Sequence, residues 1–150
     1  MPIIHRSSVS VKSGTTYPAP FDAPCLTKHS LRLSDAGRLT QFGAHLVTLP
    51  PGCWSSQRHH HSAEDEFVYI LTGHPTFIDD DGETQLSPGD TTCHPAGDGN
   101  AHHMINRTEA DVTFIAVGSR RPEVDHCRYP DVNLDLPANG TPKRVFGGKD

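Results

Sequence analysis

Apolar and polar positions alternate in short runs along the middle of this 150-residue chain, and no run sustains a helical period over three turns. The clearest run covers 66–71, where Phe67, Val68, Tyr69 and Ile70 follow Glu66. Aromatic and β-branched residues packed this densely favour a pleated strand. Further runs fall at 29–33, 39–49, 76–78, 84–86, 91–94, 103–106 and 112–117. Turn chemistry separates them. Ser34-Asp35-Ala36-Gly37 predicts a turn, Pro50-Pro51-Gly52 cannot continue a ladder, and Asp79-Asp80-Asp81-Gly82 predicts a hairpin. Ser87-Pro88-Gly89-Asp90 and Pro95-Ala96-Gly97-Asp98-Gly99-Asn100 predict two more turns. Many short strands at close spacing predict an all-β barrel or sandwich.

The two ends read differently. Residues 1–28 contain Pro2, Pro18, Pro20 and Pro24 among Ser and Thr, which predicts an irregular arm before a barrel core at about 29–119. Residues 120–150 form a C-terminal extension broken by Pro122, Pro130, Pro137 and Pro142. Its 129–136 stretch is apolar enough to pack back on the barrel, whereas a loose tail is expected beyond Ala138. The length suits one domain.

Composition narrows the function classes. A hydrophobic fraction of 34% with 13 Gly and 13 Pro fits a turn-rich β protein. A net charge of -5 with scattered Lys and Arg leaves no basic face, so no nucleic-acid partner is expected. The opening residues lack the apolar run of a signal peptide, and no stretch approaches the roughly 18 apolar residues that span a bilayer. Cys25, Cys53, Cys93 and Cys127 lie far apart without a Cys-x-x-Cys pair, which predicts free thiols and a cytoplasmic protein without a membrane partner.

Eleven histidines are the compositional oddity. In an extended strand, His59 and His61 share one face while His60 points the other way. Two imidazoles so placed can converge on one metal ion. Glu66 stands at an odd separation from His61, so the chain must bend at 62–65 to bring its carboxylate to the same face. His102, at the start of a distant β run, supplies a fourth donor. Three imidazoles and a carboxylate suit Fe, Mn, Ni, Co or Zn as a divalent ion and disfavour Mg or Ca. An octahedral ion held this way keeps two positions open for a substrate, water or dioxygen.

These residues resemble the two sequence motifs of the cupin superfamily. The first runs from Gly52 through His59-His60-His61 to Glu66, with six residues between Glu66 and Gly73, and its Gly52 to His59 gap is one residue longer than the family pattern. The second runs from Pro88-Gly89-Asp90 to Gly97 and on to His102, with three residues between His102 and Asn106 and two extra residues after Gly97. That offset favours His102 over His103 as the ligand. The resemblance implies a double-stranded β-helix, or jelly roll, with the metal in the barrel mouth. It also implies a homodimer to which the N-terminal arm contributes. The stretch from Trp54 to Phe67 and the later Tyr129-Pro130-Asp131 resemble small bacterial cupins named as sugar phosphate isomerases.

Three activities are compatible with this set. An isomerase would polarise a carbonyl and its neighbouring hydroxyl, with Glu64, His60 or His103 as candidate catalytic proton carriers. Arg58 and Arg107 flank the motifs and could meet a phosphate, although Arg58 should face away from His59. A non-haem Fe(II) dioxygenase would place a chelating substrate and dioxygen on the two open positions. A metal-bearing domain that binds a small molecule without turnover is the third.

Overall fold

The computed structural model describes residues 3–144. Its strands are β1 (Val11–Ser13), β2 (His29–Arg32), β3 (Phe42–Leu49), β4 (His60–His61), β5 (Glu66–Thr72), β6 (Thr76–Asp79) and β7 (Gly82–Gln85), followed by β8 (Thr91–His94), β9 (His103–Ile105), β10 (Val112–Ser119), β11 (Cys127–Arg128), β12 (Leu134–Leu136) and β13 (Lys143–Arg144). No helix among the described residues is long and apolar enough to cross a membrane.

One wall is a six-stranded sheet in the order β1-β2-β3-β10-β5-β8. Antiparallel register aligns Val47 with Phe114 and Phe114 with Ile70, so one row of apolar side chains faces inward. The opposite wall is made of two small sheets, β13-β12-β11-β4 and β7-β6-β9, joined by a bridge between His59 and His102. Leu49, Ile70, Val112 and Phe114 from the first wall pack against Cys53, Leu86 and Met104 to form the main core. The all-β architecture predicted from turn spacing, and the jelly roll that the resemblance implies, are observed, although the sheets do not close into a continuous barrel.

Local departures from expectation have physical reasons. The 34–37 turn is instead the end of a one-turn helix, α1 (Leu33–Ala36), because the Gly37 N–H reaches the Leu33 carbonyl at 3.0 Å. Ser34 is buried beneath it and accepts the Ala44 N–H at 2.9 Å. The expected β6–β7 hairpin forms with a two-residue loop, Asp80-Asp81, but neither residue has a positive φ. Gly82 takes that conformation at φ +128, and the Asp79 carboxylate accepts the Asp81 N–H at 3.0 Å. The N-terminal arm is not irregular throughout, since Val11–Ser13 pairs with His29–Leu31. Nor is the chain wholly loose beyond Ala138: Lys143–Arg144 pairs with Leu134–Asp135. The rest of the expected tail, 145–150, lies outside the described residues.

The C-terminal extension packs back as expected. Cys127, Tyr129 and Leu134 form a second core with Tyr17 and Phe21 of the arm. Arg58 ties this layer to the barrel. It donates through Nε and Nη2 to the two Asp131 oxygens, each at 2.7 Å, and also contacts Asp80 in the hairpin. The bidentate bond to Arg58 holds the Asp131 carboxyl below its ordinary value. A depressed folded-state pKa means that the stability gained is complete above the unfolded value and lost as pH falls through the folded one. Asp131→Asn is therefore expected to melt a few degrees below wild type at pH 7, with the gap closing below about pH 4. Circular dichroism melts across that range check this.

Candidate metal centre

The backbone itself sets two of the predicted ligands opposite each other. The His59 N–H donates to the His102 carbonyl at 3.1 Å, and the His102 N–H returns to the His59 carbonyl at 2.9 Å. Residues paired in this way carry their side chains on one face. The two ring centroids lie 5.0 Å apart. His61, two positions along, returns to the same face with its ring 5.2 Å from that of His59. The chain then bends at 62–65, and β5 starts at Glu66. The longer gap after Gly52 is absorbed nearby: between the bridges Trp54–Ile105 and His59–His102, five steps on one strand oppose three on the other.

The three Nε2 atoms converge on the Glu66 carboxylate. His102 lies 2.9 Å and His59 3.4 Å from Oε2, and His61 lies 3.8 Å from Oε1. Each Nδ1 faces an acceptor instead. That of His59 is 2.9 Å from the Gln57 carbonyl, that of His61 is 2.6 Å from Asp125 Oδ2, and that of His102 is 3.4 Å from the Asn100 carbonyl. These acceptors select the tautomer with hydrogen on Nδ1, which turns the Nε2 lone pairs toward Glu66. Lone pairs facing a carboxylate at this distance require positive charge between them, supplied by protons or by a metal cation. Nitrogen and oxygen donors in a partly buried site fit a divalent transition ion. Ligand atoms of His59, Glu66 and His102 lie within 4.8 Å of one another, as do those of His59, His61 and Cys127.

Burial pushes the Glu66 carboxyl up, but hydrogen bonds from His102 and His59 outweigh it and hold the group well below its ordinary value. Burial lowers His59, and the adjoining Glu66 more than reverses this. Asp125 is likewise raised by burial and lowered further by its bonds to His61 and the Ala63 N–H. The cluster is thus electrostatically coupled through carboxylates on both sides of the imidazoles.

The candidate proton carriers are scattered. His103 lines the same cavity of about 500 Å³ as His59, Glu66 and His102. Its ring meets Trp54 edge-on at 4.9 Å, its Nδ1 lies 3.0 Å from the Ser56 carbonyl, and burial lowers its pKa. Glu64 does not line the cavity. It accepts the Arg121 N–H at 2.5 Å and lies behind His61, beside Asp125. His60 also lies outside the cavity lining, with a buried Nδ1 that has no hydrogen-bond partner among the described residues. Arg107 is held by both Glu83 oxygens at 2.6 and 2.9 Å, and Arg58 is held by Asp131 and Asp80.

Three neighbours of the site were not singled out from the sequence. Asp125 lies 64 positions from His61, and no local pattern announces it. His94 is the cross-strand partner of Glu66 and stacks on His102 at 3.3 Å. Burial, reinforced by the neighbouring His102, lowers His94 to about 4, so the ring is neutral at pH 7. The third is Cys127, buried beside His59 and His61. All four cysteines are free, and Cys93 alone is exposed. Burial pushes the Cys25 thiol up to about 11 and Cys127 up to about 12, so neither forms thiolate readily. A thiol-reactive chromophore is expected to label one cysteine quickly in the native protein and the other three only on unfolding. Loss of the fast phase in Cys93→Ser checks the assignment.

Comparison with known proteins agrees with this geometry. A cupin domain family model matches residues 45–118. A structure from Silicibacter pomeroyi, described as a sugar phosphate isomerase from a cupin superfamily, is 41% identical with a TM-score of 0.88, covering 95% of this chain and 92% of that one. An Acidithiobacillus ferrooxidans protein to which the same activity is provisionally ascribed is 28% identical with a TM-score of 0.72, covering 79% and 76%. The polyketide cyclase RemF from Streptomyces resistomycificus, 18% identical with a TM-score of 0.66 over 100% and 89%, shares the fold. No curated protein matches the sequence at a significant level. With the motifs, the jelly roll and a relative similar over nearly its whole length, this chain belongs to the cupin superfamily.

Proposed function

We propose that the cavity holds one divalent transition-metal ion through His59, His61, Glu66 and His102 and isomerises a small phosphorylated sugar. The observation that carries the metal is the convergence of three Nε2 atoms on one carboxylate, each imidazole being oriented by an acceptor behind it. The likeness to the Silicibacter pomeroyi protein supports the isomerase reading. A bound divalent ion supplies Lewis acidity to a carbonyl and its neighbouring hydroxyl.

The chain's own residues do the rest. His103 is the best placed of the three candidate proton carriers because it alone lines the cavity, and His94 offers a second neutral imidazole in the same wall. Phe77, Met104 and Phe114 form an apolar side that limits water around the substrate. Glu66 is itself one of the proposed ligands, which leaves it less suited to carry the proton. Protein loaded in turn with Fe, Mn, Ni, Co or Zn should interconvert aldose and ketose phosphates under anaerobic conditions. Oxygen uptake on a chelating substrate, with no anaerobic turnover, would overturn the isomerase in favour of the dioxygenase. No turnover of either kind would leave a binding protein.

We read the chain as one domain, with an arm at 1–28, a core at about 29–119 and an extension at 120–150. We also read it as a cytoplasmic homodimer. The dimer reading is supported by the outer face of the six-stranded sheet, where register lines up Val11, Leu31, Leu46, Ile115 and Tyr69. Val11 is 60% and Tyr69 40% exposed, a costly arrangement for large apolar groups in water. Light scattering that gives a monomer mass at micromolar concentration would exclude this.

A further inference from the structure

The cavity has a second chemical pole, away from the imidazole cluster. Antiparallel register places Lys12 opposite Ser30, and Arg32 opposite His45. Ser30 is in turn opposite the inward-facing Val47, so all of these share the inner face of the six-stranded sheet. Lys28, just before β2, joins them in the lining and donates to the Ser55 carbonyl at 2.7 Å.

The charge balance of this pole is one-sided. Among the described residues that line the cavity, Glu66 is the sole carboxylate, and it is already engaged by three imidazoles. Lys12, Lys28 and Arg32 therefore bring three cations to a cavity wall that holds no acid of its own, in a chain whose net charge is -5. The acid nearest Arg32 is Asp35, 3.9 Å away and outside the cavity, where it is also bound by Arg120. His45 adds a buried Nε2 without a hydrogen-bond partner among the described residues. Burial disfavours the charged forms of both Lys28 and His45, a strain that an anion would relieve. The two arginines that the sequence offered for a phosphate, Arg58 and Arg107, are by contrast committed to carboxylates.

We propose that Lys12, Lys28, Arg32 and His45 form an anion subsite that receives the phosphate of the substrate, with its carbonyl end toward His59, Glu66 and His102. This rests on the sugar phosphate reading of the same cavity. It assigns phosphate recognition to the N-terminal arm, β2 and β3 rather than to the two motifs.

The test uses inorganic phosphate as the probe, titrated into the metal-free full-length protein at low ionic strength and followed by 31P line broadening. Arg32→Met and Lys12→Met are each expected to weaken binding about tenfold, as loss of a charge-assisted bond does. Lys28→Met should do the same, and Lys28→Arg should restore it. The Lys28 variants alone risk the fold, through the Ser55 contact, so the exposed Arg32 and Lys12 positions keep the test decisive. Arg107→Met controls for net charge and should bind as wild type. No binding by wild type, unchanged binding in the Arg32 and Lys12 variants, or an equal loss in Arg107→Met would each overturn the subsite. Phosphate binding with this residue dependence but no turnover of any sugar phosphate would leave the subsite standing and overturn the isomerase.

Discussion

Replacing His59 and His102 together by alanine is expected to yield a folded barrel that no longer retains a divalent ion. The pair makes up two of the four proposed donors and, through mutual backbone hydrogen bonds, forms the bridge between the two sheets of the smaller wall. The backbone bonds survive the substitution, and neither side chain belongs to the main core around Leu49, Ile70, Val112 and Phe114. Metal per chain, measured by plasma mass spectrometry after dialysis, should fall from about one equivalent to near zero, because two donors cannot hold an ion that four hold. Asp125→Asn should act more mildly. It keeps every ligand but removes the anionic acceptor 2.6 Å from His61 Nδ1, and outer partners of this kind are worth about 10–100-fold in metal affinity. Stoichiometric metal in a folded double variant would overturn the ligand assignment.

The second large effect lies away from the metal. Asn106 is fully buried, and its side chain makes every bond available to it in the 106–110 turn. Nδ2 donates to the Leu49 and Ala110 carbonyls, both at 2.8 Å, while Oδ1 accepts the Thr108 N–H at 3.0 Å and the Thr108 hydroxyl at 2.7 Å. Asn106→Ala removes all four at once and leaves the buried Leu49 carbonyl and the half-buried Thr108 N–H without these partners. Each such group costs about 1–3 kcal/mol, so a total of about 3–5 kcal/mol and a drop of about 10–15 °C in Tm are expected. Thermal and urea unfolding measure it. A loss below about 1 kcal/mol would show that water replaces the amide.

Asn106 also shows what the sequence made legible and what it did not. Its spacing from His102 favoured that histidine over His103, and a hydrogen-bonded bridge sets His102 opposite His59. The amide's own role in pinning the turn was invisible, because its partner Leu49 lies 57 positions away. Strand parity brought out His59 and His61, since alternation is a local property, whereas Glu66 came from the motif spacing. Asp125, Cys127 and the cation wall at Lys28 and Arg32 depend on which strands become neighbours, and parity says nothing about that. Arg58 and Arg107 failed as phosphate candidates for a related reason: charge is read from the chain, whereas its neutralisation by Asp131, Asp80 and Glu83 is read only in space. The turn at 34–37 and the arm at 11–13 depended on tertiary contacts that overrode local propensity.

The pairing of β4 has a bearing on how the protein matures. His60–His61 has one strand partner in its sheet, Cys127–Arg128, and that partner lies beyond the 45–118 span shared with the family model. All four proposed ligands leave the ribosome well before the segment that braces His61 from behind. During synthesis the larger wall can assemble early, since its last strand ends at Ser119, whereas the bond that braces His61 must wait for Asp125 to emerge. Firm retention of the proposed ion would then come late, once Asp125 has joined His61. Nascent chains arrested before Asp125 should surrender their ion to a mild chelator that completed chains withstand.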